Sequence, residues 1–97
     1  MIQIQFSINA IADLQRLRDF IAVNNKKAAA RVALRIRESI ATLALYPAKG
    51  RPVEELEEVR ELIAGNYVVR YLHLDDEERI VILRIWHGKE YRDRSSP

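Results

Sequence analysis

Few side chains in this sequence have the chemistry of a site, and several of them gather near the C-terminal end. The stretch ILRIWHGKEYR (Ile82–Arg92) sets Arg84 inside an apolar run and follows it with His87, Lys89, Tyr91 and Arg92. An imidazole titrating near neutrality and a phenol can exchange protons with an RNA 2′-hydroxyl while guanidinium groups steady the phosphate. Arg60, at the start of an earlier strand-like run, would add a second guanidinium, as would Arg70 beside Tyr71. The bland alternative is structural. An unpaired guanidinium buried in a strand costs several kcal/mol, so Arg84 needs a salt bridge to Glu61 or another acid, or lines an open groove. A histidine at a strand end is commonly a surface or hydrogen-bonded group, and Trp86 suits a core better than a base-stacking platform.

Other chemistries lack their residues. There is no P-loop and no G-x-G-x-x-G, and the serines at 7 and 39 sit in no nucleophile elbow. His73 and His87 are the only histidines and cysteine is absent, so no zinc-ligand spacing exists. The DDEE run (Asp75–Glu78) lacks the alternating ligands of a calcium loop and reads as a hairpin turn. Neither a metal nor a cofactor is expected.

The elements that must hold these groups follow from periodicity. IQIQF (Ile2–Phe6) alternates apolar and polar residues and predicts a short strand. Ser7 is a plausible N-cap for a helix whose stripe runs Ile11, Leu14, Leu17 or Arg18, and Ile21. Asn24 and Asn25 break it. A second helix carries Ala29, Val32, Ile36, Ile40 and Leu43 inward and Arg31, Arg35, Arg37 and Glu38 outward, and Pro47 stops it. A turn-rich loop and an acidic stretch lead to three strand-like runs, Val59–Ala64, Tyr67–Leu74 and Arg79–Trp86. The last is apolar on both faces, the mark of a central strand covered on two sides. The order β-α-α-β-β-β predicts an α+β fold: a helical hairpin packed on a small, mainly antiparallel sheet, with the first strand joining beside one distant in sequence.

Ninety-seven residues, 48% of them hydrophobic, suit a single domain over 1–97 with one core. No apolar run approaches a membrane span, and MIQIQFS lacks the pattern of a signal peptide. With no disulfides available, a cytoplasmic location and no membrane partner are expected. The net charge of +2 hides an asymmetry. Residues 1–53 hold nine Lys/Arg against three Asp/Glu, whereas residues 54–97 hold seven against eleven. A basic face for an acidic partner or a nucleic acid, or a solvated salt-bridged surface, would each account for this.

Read in order, DLQRLRDFIA, AAARVALRIRESIATLALYPAKGRP, VRELIAGNYVVRYL and IVILRIWHGKEYR resemble the ParE/RelE superfamily, bacterial toxins of type II toxin–antitoxin modules of the plasmid-stabilisation type. The most specific parts are P-x-x-G-R-P from Pro47, R-E-L-I from Arg60, Y-V-V-x-Y from Tyr67 and I-L-R-I-W-H-G from Ile82. The resemblance implies growth inhibition silenced by a cognate antitoxin, and leaves two targets. ParE-like members act on DNA gyrase, trapping it on cleaved DNA without catalysis of their own. RelE-like members are ribosome-dependent endoribonucleases that cut messenger RNA, and in that case Arg60, Arg84, His87 and Tyr91 would be the catalytic residues. The long hairpin, the G-R-P loop and the carboxylates among Glu54–Glu61 favour ParE. A third reading is a member that has lost toxicity and only binds a partner. Arg16, Arg18, Arg31, Arg35 and Arg37 would bind an acidic antitoxin segment, unless Asp13, Asp19 and Glu38 occupy them locally.

Overall fold

A computed structural model describes residues 1–95, so the 1–97 reading runs two residues past what is described. β1 (Gln3–Phe6) leads into α1 (Ile8–Ala22) and α2 (Lys26–Ala41), followed by β2 (Arg51–Pro52), β3 (Val59–Ala64), β4 (Tyr67–Leu74), β5 (Arg79–His87) and α3 (Gly88–Ser95). Ser7 caps α1, its Oγ accepting the Ala10 N–H at 3.0 Å, and Asn25 caps α2 through the Ala28 N–H. The second helix ends at Ala41, six residues short of Pro47, and gives way to a 3₁₀ turn over Thr42–Ala44.

The sheet order is β1-β5-β4-β3-β2, so β4 is the middle strand and β5 lies one in from the edge. The expectation that β5 would be central is corrected by the short β2, which extends the far side. β1 does pair with a strand distant in sequence: it runs parallel to β5, while all other neighbours are antiparallel.

The helical hairpin covers one face. Ala10, Leu14 and Leu17 from α1 and Ala33, Ile36 and Ile40 from α2 meet Leu62, Val69, Tyr71, Ile80, Ile82 and Ile85 from the sheet. The buried stripe of α1 is rotated from the predicted one, leaving Ile11 exposed and burying Asp13. Along β5 the phase of alternation changes. Arg70 pairs with Arg84 but Tyr71 with Ile82, so Leu83 is an extra, bulged residue. The bulge keeps Ile80, Ile82 and Ile85 on the helix side and turns Arg84 and Trp86 to the other face.

Tyr71 fastens the loop before β3 to this core. Its hydroxyl donates to the Pro47 carbonyl at 2.7 Å and accepts the Gly50 N–H at 2.9 Å, with the ring fully buried. A Cβ at Gly50 would stand 2.7 Å from that ring and 2.8 Å from the Glu61 carbonyl oxygen, so the P-x-x-G motif needs glycine for close approach. Tyr71→Phe leaves the Gly50 N–H and the Pro47 carbonyl unpaired and should cost about 1–3 kcal/mol in urea unfolding.

Candidate functional site

The face of the sheet opposite the helical hairpin carries a row of charges. Arg51, Glu61, Arg70 and Arg84 occupy directly paired positions on β2, β3, β4 and β5. Glu61 is 3% exposed and is held by both Nε and Nη2 of Arg70, at 3.0 and 2.8 Å, with Arg51 at 3.8 Å. Trp86 lies one position further along, and the guanidinium groups of Arg70 and Arg84 stand 5.3 and 5.2 Å from its ring centre.

The partner of Arg84 is Asp13 rather than Glu61. The Arg84 Nε and Nη2 donate to the two carboxylate oxygens of Asp13 at 2.7 and 3.1 Å. The reason is topological: β4 stands between β3 and β5, so Arg70 takes Glu61, while α1 passes over the edge of β5. That edge is open because β1 ends at Phe6, opposite Ile82. Side chains complete it. Ser7 Oγ donates to the Leu83 carbonyl at 3.0 Å, Asp13 accepts the Ile85 N–H at 2.9 Å, and Glu90 accepts the His87 N–H at 3.0 Å. Arg16 ties the two acids together, donating to Asp13 at 2.6 Å and to Glu90 at 3.1 Å.

These contacts set the ionisation. Burial pushes the Asp13 carboxyl up, but hydrogen bonds from Arg84, the Ile85 N–H and Arg16 outweigh it and hold the group below its ordinary value. Glu90 behaves alike, burial being overcome by the His87 N–H and Arg16. For Tyr91, the hydrogen bond to Glu61 and then burial raise the phenol.

After His87 ends β5, the segment from Gly88 forms α3 and returns over the charged row. The Tyr91 hydroxyl donates to Glu61 Oε1 at 2.7 Å, and its ring tilts against Trp86 at 5.6 Å. The helix has no apolar stripe, so hydropathy gave no signal of it; the i,i+3 relation of His87 to Glu90 was the only trace.

The four candidate catalytic residues are not brought together. Arg84 and Tyr91 lie on the face away from the hairpin, whereas Arg60 and His87 pair with the inward-facing Tyr71 and Tyr67. Those two positions are four residues apart along β4, roughly 13 Å. Arg60 donates to the Gly50 and Ala48 carbonyls at 2.7 and 3.3 Å and borders a depression of about 530 Å³ that Glu55, Glu57 and Glu58 also line. His87 packs edge-on against Tyr67 at 5.3 Å, and its Nδ1 accepts the Lys89 N–H.

The five hairpin arginines also divide. Arg16 is part of the Asp13–Glu90 network. Arg18 and Arg37 flank a depression of about 270 Å³ floored by Phe6, Ile11 and Leu14, with Arg37 5.9 Å from the Phe6 ring centre. Arg31 and Arg35 lie on another side of α2 and are exposed. Asp19 takes Gln15 rather than an arginine.

A family model described as the ParE toxin of the type II toxin–antitoxin system parDE matches residues 4–91. The chain belongs to the ParE/RelE superfamily of type II toxins. It is 38% identical over 85 residues to Toxin RelE2 of Caulobacter vibrioides, covering 87% of this chain and 94% of that protein. Toxin RelE1 of the same organism is 31% identical over 88 residues, covering 89% and 92%. Among solved structures, a chain of the chromosomal ParDE system from P. aeruginosa superposes with a TM-score of 0.76 at 25% identity, covering 90% of this chain and 96% of that one. A chain of the RelBE2 toxin–antitoxin complex from Mycobacterium tuberculosis gives 0.65 at 25% identity, covering 89% and 96%. The two-helix, five-strand architecture is thus that of the family.

Asp13→Ala strands Arg84 and Arg16 beside an unpaired strand edge. A loss of about 3 kcal/mol in urea unfolding is expected, at the low end for a broken buried pair because Arg84 is 29% exposed. The depressed acids set a pH dependence: their stabilisation is present above the ordinary carboxylate range and lost as pH falls through the lowered folded-state values. Acid unfolding of Asp13→Asn should show a shallower loss over that window than the wild type.

Proposed function

We propose that this toxin inhibits DNA gyrase by binding, without catalysis of its own, and is neutralised by an antitoxin. The observation that carries the reading is the dispersal of Arg60, Arg84, His87 and Tyr91 over two faces, each engaged by neighbouring protein groups. A ribonuclease needs an acid, a base and a phosphate clamp around one reacting phosphodiester. Here Tyr91 donates to Glu61, Arg84 is held at both ends by Asp13, and Arg60 sits among carboxylates that would repel a phosphate. The ParE family match and the superposition on the ParDE chain agree with the gyrase target.

Purified toxin, gyrase and supercoiled plasmid should together give linear, cleaved DNA, and His87→Ala with Tyr91→Phe should change that yield by less than about threefold, because neither side chain has a chemical step to perform. Unimpeded supercoiling with no cleavage complex would sink the reading. The names of the Caulobacter relatives favour a second one, the ribosome-dependent endoribonuclease. Primer extension on ribosome-bound messenger separates the two: new 5′ ends that vanish in the same double variant establish the nuclease. Unimpaired growth on induction without antitoxin would leave only partner binding.

For the antitoxin, Arg18 and Arg37 beside the Phe6–Ile11–Leu14 floor suit an amphipathic segment with acidic residues. Arg18→Ala with Arg37→Ala should weaken the complex about tenfold and reduce its salt dependence, whereas Arg16→Ala should act through stability.

A further inference from the structure

Most of the acids of this molecule lie at one end of the strands. Eight of the fourteen acids, Glu54, Glu55, Glu57, Glu58 and Asp75–Glu78, sit in the two loops at one end, before β3 and between β4 and β5. Asp13, Glu61 and Glu90 are neutralised by arginines. The other end, at the β3–β4 turn over Gly65 and Asn66, is about 24 Å away along the eight residues of β4, some three Debye lengths at physiological salt.

That end is cationic from two directions. Arg35 of α2 lines a depression of about 360 Å³ on one side of the turn. Lys89 and Arg92 of α3 line another, of about 510 Å³, on the other side. Gly65, Asn66 and Tyr67 belong to both, so the two form one shallow groove across the turn. Arg31 and Lys27 precede Arg35 by one and two helical turns, and all three are exposed, which makes a stripe of cations about 6 Å apart leading into the groove. Among the described residues none of Lys27, Arg31, Arg35 and Lys89 has a salt bridge.

We infer that this end is a docking surface for the phosphodiester backbone of duplex DNA. Exposed cations on two helices, facing away from a strongly acidic opposite end, steer and orient a polyanion. The groove's aromatic groups argue for backbone contact rather than base stacking. Tyr67 packs against the core and meets His87 edge to face at 5.3 Å, so both rings are already engaged by the protein. The inference rests on the gyrase reading only for its biological setting, in which the toxin would touch DNA held by the enzyme; the binding itself is a property of the free chain.

The test is fluorescence anisotropy of a labelled 20-base-pair duplex titrated with purified full-length toxin in the absence of gyrase. The wild type should bind at 50 mM salt and lose affinity steeply by 200 mM. Arg31→Glu with Arg35→Glu, and separately Lys89→Glu, should each bind at least tenfold more weakly. Arg31→Ala with Arg35→Ala should lower the log–log salt slope by about 2, the share of two phosphate contacts. Circular dichroism melts confirm that every variant folds. Absent binding at 50 mM salt, unchanged affinity in the charge-reversed variants, or preference for a single strand of the same sequence overturns the inference. A plasmid cleavage assay run beside it reads the gyrase target independently. Duplex binding without gyrase cleavage retains the surface and removes the target, and cleavage without duplex binding does the reverse.

Discussion

The tertiary arrangement depends on how the edge of β5 is finished. β1 accompanies it only as far as Ile82, and the remaining residues present backbone groups that a sheet edge would leave open to another chain. Asp13 closes the gap. One buried carboxylate accepts the Ile85 N–H and binds both Arg84 and Arg16, so strand, helix and sheet face converge on two oxygen atoms. Ser7 and Glu90 continue the repair on either side. Since Arg16 also reaches Glu90, the same network moors α3, and α3 brings Tyr91 down on Glu61.

The consequence for function is a sheet face whose charged groups are paired with one another. From β2 to α1 the sequence of groups is Arg51, Glu61, Arg70, Arg84 and Asp13, with Trp86 beneath the two central arginines. Arginines so engaged are costly to redirect towards a substrate phosphate, because doing so would strand a carboxylate that is 3% exposed. The cations that remain available lie elsewhere, on the outer sides of α2 and at the start of α3.

Particular residues show how far the sequence could be read. The start of α1 was plain in Ser7, whose cap is local, whereas Asn25 was read only as a break and proves to cap α2. The three-strand meander followed from its turns and β-branched content, and the family resemblance was carried by the P-x-x-G-R-P and R-E-L-I segments. The need of Arg84 for an acid was legible, Glu61 or another, but which acid was not: the partner is Asp13, 71 positions away on a helix. Strict alternation along β5 would have put Arg84 and Trp86 in the core with Ile82. The bulge at Leu83, invisible in a run of apolar residues, turned them outward.

Periodicity, capping and turn chemistry act over a few residues, so the sequence by itself determined the elements, their order, the α+β class and which faces had to be buried. Partnership among charges was decided only by the tertiary structure. A guanidinium or carboxylate pairs with whatever the packing brings within about 3 Å, whatever its distance along the chain. That is why Asp13 holds Arg84, why the segment from Gly88 folds back as a helix, and why four side chains that read as one catalytic set stand on two faces of the sheet.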